Sequence, residues 1–355
     1  MVQKLTREYA HHGMSLECDI YTDNDYPEDA PVFLYFHPGG LVDWGRNVIA
    51  PWLVQSCVQR KWPLISPSYR LLPQTGANGL LEDVSAAYEF AQNWDTSSPG
   101  VKRHVIAGGA SGGESPQPSI STHLKASFLT PESRILRRRS HRPSLQPPPV
   151  ALLSIQGINT FRHPFFNSST LLTPEPIPDS DMEDIISGPI QIGTTPVSDP
   201  SAFHTDKILP DASKNPHYKP PSPPPTAPQD NSEPNRGMLY DYYTYRNAWL
   251  DLVGSIDPGY DWARDSAAKE RAEKWPPTVI FHGNQDFDVP VGVSQFMYEK
   301  FGPAKVDLFI ANDQPHLFEL GSFIEDTDSG MVAVRQAVAR LDVLVAKAYN
   351  GNKTS

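Results

Sequence analysis

The sequence predicts an α/β fold in which helices cover both faces of a mostly parallel β-sheet. Short apolar runs alternate with amphipathic helical segments over residues 1–110, and the same alternation returns after residue 275. Between these two regions the composition changes, since 23 of the 37 prolines lie between Pro116 and Pro234. Alternating strands and helices are typical of a parallel sheet, and the proline-rich middle indicates an insertion into it.

The composition is that of an acidic globular protein. The chain has 355 residues, and 41 Asp and Glu against 30 Lys and Arg give a net charge of −11. This balance argues against partners such as nucleic acid or an anionic membrane, which need clustered Lys and Arg. No apolar run is long enough to span a membrane, and no signal-peptide pattern or disulfide framework is present. We therefore expect a cytoplasmic protein that acts on a small molecule; its oligomeric state stays open.

The first part of the α/β core is predicted to cover residues 1–158. Partial apolar alternation predicts a half-buried strand at 14–21. Short apolar runs, which are typical of buried parallel strands, predict further strands at 31–36, 62–66, 101–107 and 150–156. Apolar residues at helical spacing predict helices at 47–60 and 80–94.

Residues 159–272 are predicted to form a cap, and residues 273–355 the second part of the core. The cap sequence is loop-rich, with a helical stretch at 236–253 and repeated prolines at 216–228 that exclude a helix. After the cap, short apolar runs predict strands at 278–281 and 306–310. Apolar residues at helical spacing predict helices at 291–301 and 330–349.

A glycine-rich turn directly follows the predicted strand 101–107. Residues 109–113, Gly-Ala-Ser-Gly-Gly, fit the pattern G-x-S-x-G around Ser111. A nucleophilic serine on a sharp strand-to-helix turn needs small neighbours, because the backbone there is strained and closely packed. Ser111 is therefore a candidate nucleophile, and an ordinary glycine-rich turn is the alternative.

A second motif, His37-Pro38-Gly39-Gly40, follows the predicted strand 31–36. Here the sequence resembles the hormone-sensitive-lipase-like carboxylesterases of the α/β-hydrolase superfamily, whose oxyanion loop reads H-G-G-G. The resemblance implies that Gly39 and Gly40, which match the second and third glycines, donate their amides to an oxyanion. Proline has no N–H to donate, but Pro38 matches the first glycine of the family motif, whose amide is not one of the oxyanion donors. A tight turn after the strand is the alternative.

Two later segments extend this resemblance. The sequence TVIFHGNQDFDVP is similar to the acid loop of the family and implies that Asp286 is the acid, with Asp288 as the fallback. The sequence NDQPHLF implies that His316 is the base. The order Ser111, Asp286, His316 is that of α/β hydrolases. The resemblance also implies that the amide of Gly112, after the nucleophile, is the third oxyanion donor.

Several other residues are expected to have structural roles. The segment SYRLLP and the later Asp83 are similar to the family, which implies that Tyr69, Arg70 and Asp83 hold the sheet edge and a helix in place. His282 is expected to pack or to form a hydrogen bond within its own turn. The aromatic stretch LYDYYTY (239–245) is interpreted as a packed helix face, with the lining of a substrate pocket as the alternative.

The segment after the nucleophile departs from the family pattern. The family has a helix of small and apolar residues there, whereas Pro116 and Pro118 follow Ser111 closely and a basic run occupies 134–142. Two explanations stay open for residues 114–146: a native insertion, or an error in the gene model such as a retained intron. A damaged helix here would leave the enzyme weak or inactive.

The predicted function is serine-dependent hydrolysis of a small-molecule carboxylic ester through a Ser-Asp-His triad and an acyl-enzyme. This chemistry requires no cofactor, neither a metal ion nor an organic group. Two alternatives stay open. One is a non-hydrolytic enzyme on the same fold, such as a dehydratase or cyclase of secondary metabolism, and the other is a catalytically impaired binding protein.

Overall fold

The computed structural model describes residues 2–96, 100–114, 147–204 and 235–351. The predictions made for the proline turn and basic run within 115–146, and for the polyproline loop at 216–228, lie outside the described residues. In the part that is described, no helix is both long and apolar enough to cross a membrane.

One eight-stranded sheet forms the centre of the described structure. Its strands are β1 (Gln3–His11), β2 (Ser15–Thr22), β3 (Val32–Phe36), β4 (Leu64–Pro67), β5 (Val105–Ala110), β6 (Ala151–Ile155), β7 (Thr278–Gly283) and β8 (Val306–Ala311). Their order is β1-β2-β4-β3-β5-β6-β7-β8. The β1–β2 and β2–β4 pairs are antiparallel, and all later pairs are parallel. The predicted mostly parallel sheet is confirmed.

Helices pack on both faces of this sheet. The α-helices in the described ranges are α1 (Pro51–Arg60), α2 (Gly76–Asn93), α3 (Asp179–Ser187), α4 (Leu239–Tyr245), α5 (Trp249–Val253), α6 (Lys269–Glu273), α7 (Gly292–Phe301) and α8 (Met331–Gly351). The side chains of Val32 and Leu34 join α2 in one apolar cluster, while Phe33 and Tyr35 join α1 and α8 in another. Since β3 is buried on both faces, its sequence is a continuous apolar run.

Several element bounds differ from the prediction. Strand β5 does not end at its glycines but continues through Gly108, where an added Cβ would lie 2.9 Å from the ring of Phe33. Helix α1 begins only at Pro51, because the residue before a proline is driven into extended backbone. The helical stretch predicted at 236–253 is broken between α4 and α5, where Asn247 has a φ of +55°.

Three elements have no counterpart in the prediction: β1, α3 and the five-residue helix α6, which buries no side chain. Strand β1 is an edge strand with mostly exposed side chains, so it lacks the apolar alternation that would have indicated it. Helix α3 buries one side chain, that of Met182, and its sequence is acidic and polar. It nevertheless has apolar residues at helical spacing, Met182, Ile185 and Ile186, which pack on the core, so the sequence analysis missed a signal that was present.

The chain leaves the sheet after β6 and returns to it at β7. Two isolated bridges, Val48 with Ala202 and Arg70 with Ile192, tie the intervening region to the loops that follow β3 and β4. The buried carboxylate of Asp257 accepts hydrogen bonds from the hydroxyl of Thr160 and from backbone amides nearby. Leu239 and Trp249 of this region share one core cluster with Val32 and Leu34 of β3, so the region packs on the sheet. The cap boundaries at 159 and 272 stay a prediction.

Candidate active site

Ser111 lies at the end of β5, in a left-handed turn. Its φ is +51° and it is 6% exposed. The two glycines that follow are required by close packing: a Cβ on Gly112 would lie 2.5 Å from Cα of Gly40, and one on Gly113 would lie 2.2 Å from the carbonyl oxygen of His37. Positive φ at a serine is a strained conformation that persists only where the surroundings enforce it. The turn therefore has the geometry of a nucleophile elbow.

The loop after β3 lies directly against this turn. Gly39 has a φ of +112° and Gly40 a φ of +61°, conformations that favour glycine at both positions. The carbonyl oxygen of Gly39 accepts hydrogen bonds from the amides of Val42 and Asp43. Within the described ranges, the amides of Gly39 and Gly40 donate to no backbone carbonyl.

His37 holds the base of this loop. Its ring is fully buried and stacks on Tyr69, with ring centroids 4.2 Å apart and an angle of 8° between the planes. Its Nδ1 donates to the carbonyl of Pro38 at 2.8 Å, and the Tyr69 hydroxyl donates to the carbonyl of His37 at 3.0 Å. Burial lowers the pKa of His37 to about 4, so that the ring is neutral. His37 is thus a structural residue of the loop.

Tyr69 is itself anchored by the residue that follows it. The guanidinium of Arg70 pairs with the fully buried carboxylate of Asp83 at 2.7 Å, and Asp83 also accepts from the backbone amide of Arg70. His12, directly after β1, contacts Asp83 as well at 2.7 Å. These contacts agree with the structural roles expected for Tyr69, Arg70 and Asp83.

The structure brings Ser111, His316 and Asp286 into one hydrogen-bonded line. His316 Nδ1 lies 2.6 Å from Asp286 Oδ2, and His316 Nε2 lies 3.0 Å from Ser111 Oγ. The Asp286 side chain is completely buried, whereas that of His316 is 14% exposed. A serine hydroxyl at this distance from a histidine held by a buried carboxylate can transfer its proton to the ring.

Asp286 has two further donors. Its Oδ1 accepts from the amide of Val289 at 2.8 Å, and its Oδ2 lies 3.1 Å from Nε2 of His282. The other ring nitrogen of His282, Nδ1, lies 2.8 Å from the hydroxyl of Ser294, which donates to it, so the ring proton is on Nε2. That proton is shared between Asp286 and the nearer carbonyl oxygen of Val289, at 2.7 Å. His282 was expected to pack or to hydrogen-bond within its turn, and its Nε2 contacts do lie within that loop. The expectation did not specify that one of its partners would be Asp286.

The pKa values of Asp286 and His316 shift in opposite directions. Burial alone would raise the pKa of Asp286, but hydrogen bonds from His282 and His316 outweigh it and lower that pKa. Burial alone would lower the pKa of His316, but the hydrogen bond and charge of Asp286 outweigh it and raise that pKa. Asp286 is therefore a carboxylate at neutral pH, ready to stabilise a protonated His316.

Asp288, the fallback acid, occupies a different position. It is exposed, and its backbone carbonyl accepts a hydrogen bond of 2.6 Å from the hydroxyl of Tyr240, which comes from α4. The hydrogen bond to His316 Nδ1 is made by Asp286. The geometry therefore favours Asp286 over Asp288 as the acid.

A second buried carboxyl group lies close enough to His316 and Asp286 for their charges to affect it. Glu319, three residues after His316, is 1% exposed and accepts a hydrogen bond of 2.6 Å from Nε2 of Gln156, the residue after β6. Burial raises the pKa of Glu319 to about 7. Sequence reasoning missed this residue, because nothing in its neighbourhood indicates that its side chain turns inward.

No cluster of three or more His, Cys, Asp or Glu that could hold a metal ion is found in the described ranges.

Comparison with known proteins identifies the fold. No protein-family model and no curated protein matches the sequence. Among solved structures, the chain is similar to an alpha/beta hydrolase superfamily protein from Enterococcus faecalis, with a TM-score of 0.62, 15% identity, and coverage of 96% of this chain and 98% of that one. A protein of unknown function from Staphylococcus aureus gives a TM-score of 0.59 at 18% identity, covering 98% of both chains.

A structure described as an esterase is also among these similar proteins. Carboxyl esterase 2 from the mycorrhizal fungus Tuber melanosporum gives a TM-score of 0.53 at 13% identity, covering 97% of this chain and 86% of that one. At such low identity the likeness concerns the fold. The described structure has the α/β-hydrolase fold, as the sequence predicted.

Proposed function

We propose that the protein hydrolyses small-molecule carboxylic esters by serine catalysis, in the manner of the hormone-sensitive-lipase-like carboxylesterases. The observation that carries the proposal is the line Ser111–His316–Asp286, with hydrogen-bonding distances of 3.0 and 2.6 Å, next to a glycine loop with available amides. The esterases among proteins of the same fold support ester hydrolysis in general.

In the first half of the reaction, Ser111 Oγ attacks the ester carbonyl carbon while His316 Nε2 takes the hydroxyl proton. The oxyanion that forms is bound by the amides of Gly39, Gly40 and Gly112, each of which contributes roughly 2.7–4 kcal/mol to lowering the barrier. Asp286 keeps the imidazole in the correct tautomer and stabilises its protonated form. The tetrahedral intermediate then collapses, and His316 passes its proton to the departing alcohol, leaving an acyl-enzyme.

In the second half, water attacks the acyl carbon and His316 Nε2 takes a proton from that water. The same amides bind the second oxyanion. As the bond to Ser111 breaks, His316 returns the proton to Oγ and the carboxylic acid leaves. Every proton taken by the base is thus returned within the cycle, so no cofactor is required for it to close.

The test is turnover of p-nitrophenyl acetate and butyrate by the purified full-length protein and its variants. Ser111→Ala should abolish turnover, and His316→Ala and Asp286→Asn should each reduce kcat by about 10⁴-fold, because the three groups act as a unit. Asp288→Asn is the matched control on the same loop and should retain activity. A fluorophosphonate probe should label Ser111 of the wild type.

Three outcomes would contradict this assignment. Undiminished turnover by Ser111→Ala would remove Ser111 as the nucleophile, and a larger loss in Asp288→Asn than in Asp286→Asn would move the acid. A wild type that is neither labelled nor active would favour the binding-protein alternative. Consumption of an ester without release of its alcohol would favour the dehydratase or cyclase alternative.

A further inference from the structure

One aromatic side chain of the predicted cap reaches the oxyanion loop. Tyr240 lies in α4, and its ring lies against Gly40 so closely that a Cβ on that glycine would be 2.7 Å from Cδ2 of the ring. The same added atom would be 3.3 Å from Cβ and Cγ of Tyr240. The ring therefore covers the face of Gly40 on which a side chain would otherwise project.

Gly40 contacts the nucleophile turn as well. A Cβ on Gly112 would lie 2.5 Å from Cα of Gly40 and 2.7 Å from its carbonyl carbon. Gly40 is thus in contact both with the residue after Ser111 and with the ring of Tyr240. Because Gly40 and Gly112 are two of the proposed oxyanion donors, the ring lies beside the place where the ester carbonyl would bind.

Tyr240 cannot easily turn away from this position. Its hydroxyl donates to the carbonyl of Asp288 at 2.6 Å, two residues after Asp286, so the side chain links α4 to the acid loop. Its ring packs on Trp249, which is fully buried, at a centroid distance of 5.7 Å. The indole nitrogen of Trp249 donates to the hydroxyl of Thr244, and that hydroxyl donates to the carbonyl of Tyr240.

We propose that Tyr240 is a specificity-determining residue, whose ring forms a wall of the acyl site beside Gly40 and restricts the enzyme to esters of short acyl chains. This inference rests on the proposed ester hydrolysis. The alcohol departs towards His316, which protonates it, whereas the acyl group stays at the oxyanion donors through both halves of the reaction. A ring fixed against Gly40 therefore limits the length of the acyl chain more than the size of the alcohol.

The experiment compares kcat/KM for p-nitrophenyl acetate and octanoate in the wild type and in Tyr240→Ala. The wild type should prefer acetate, and the octanoate-to-acetate ratio should rise at least tenfold in the variant, because removing the ring opens apolar space next to the carbonyl. Tyr240→Leu is the second variant, which keeps an apolar side chain in contact with Trp249 if the alanine variant does not fold. It should raise the same ratio by a smaller factor.

Two matched controls separate the effect of the Tyr240 ring from that of its hydroxyl and from that of losing any tyrosine of α4. Tyr240→Phe removes the hydrogen bond to Asp288 but keeps the ring, so the acyl-chain ratio should stay at the wild-type value. Tyr242→Ala removes a tyrosine of the same helix whose hydroxyl bonds to Asp179 instead, and it should also keep the wild-type ratio. A series of acetate esters with alcohols of increasing length should show no change in preference in Tyr240→Ala.

The outcomes distinguish this inference from the proposed function. A wild type that hydrolyses esters, together with unchanged acyl-chain ratios in folded Tyr240→Ala and Tyr240→Leu, would overturn the role of Tyr240 alone. A changed preference in the alcohol series instead of the acyl series would also overturn it. A wild type without turnover and without phosphonate labelling at Ser111 would overturn the proposed function, and this inference with it.

Discussion

Replacing Glu319 by glutamine should make the stability of the protein less dependent on pH. The carboxyl of Glu319 is 1% exposed, and it receives a hydrogen bond of 2.6 Å from Nε2 of Gln156. Burial favours its protonated form and raises its pKa from 4.5 to about 7. A glutamine at this position accepts the same hydrogen bond through its amide oxygen and cannot ionise.

The expected effect follows from the two pKa values. In the unfolded chain Glu319 loses its proton near pH 4.5, whereas in the folded chain it keeps the proton until about pH 7. Since the folded state binds the proton more tightly, its contribution to stability is fully present below pH 4.5 and is lost as pH rises through 7. The difference between the two values corresponds to about 3 kcal/mol.

The assay is urea unfolding of the wild type and Glu319→Gln at pH 4.5, 6 and 8. The free energy of unfolding of the variant, relative to the wild type, should increase by about 3 kcal/mol between pH 4.5 and 8. Glu325→Gln is the matched control, since Glu325 is an exposed carboxylate that also accepts from a glutamine, Gln55, at 3.4 Å. Its difference from the wild type should stay near zero throughout.

A difference between Glu319→Gln and the wild type that is the same at all three pH values would refute the reasoning. It would mean that Glu319 titrates alike in the folded and unfolded chains, and therefore that burial does not hold its proton. A difference that falls between pH 4.5 and 8, so that the variant loses stability relative to the wild type as pH rises, would refute it as well, because that result requires ionisation of Glu319 to stabilise the fold.

Two further predictions concern the nucleophile turn and the acid. Gly113→Ala should lower the free energy of unfolding, measured in urea, by about 1–3 kcal/mol, because its Cβ would lie 2.2 Å from a backbone oxygen. The control Gly321→Ala, whose Cβ would have no atom within 4 Å, should be near neutral, and equal losses in the two variants would contradict the prediction. His282→Phe should reduce kcat for p-nitrophenyl acetate by about tenfold at nearly unchanged KM, because Asp286 loses a charge-assisted donor; wild-type kcat in the folded variant would contradict it.

The features that the sequence determined by itself are those that depend on near neighbours in the chain. The periodicity of apolar residues reflects which faces of a strand or helix are buried, so it predicted most elements of the sheet. A serine at positive φ between glycines is a local backbone requirement, and so is the loop with Gly39 and Gly40; both were visible as motifs. Their order along the chain, together with the family resemblance, led to the prediction of Ser111, Asp286 and His316, which lie within hydrogen-bonding distance in the structure.

The tertiary structure alone decided which distant side chains meet. The burial of Glu319 against Gln156 and the reach of Tyr240 to Gly40 both join residues by packing rather than by spacing along the chain. An isolated glutamate or tyrosine has the same local sequence signal whether its side chain faces solvent or the interior. The free energy of burial and the direction of a side chain depend on neighbours from other elements, and these become defined only when the sheet and its inserted region pack together.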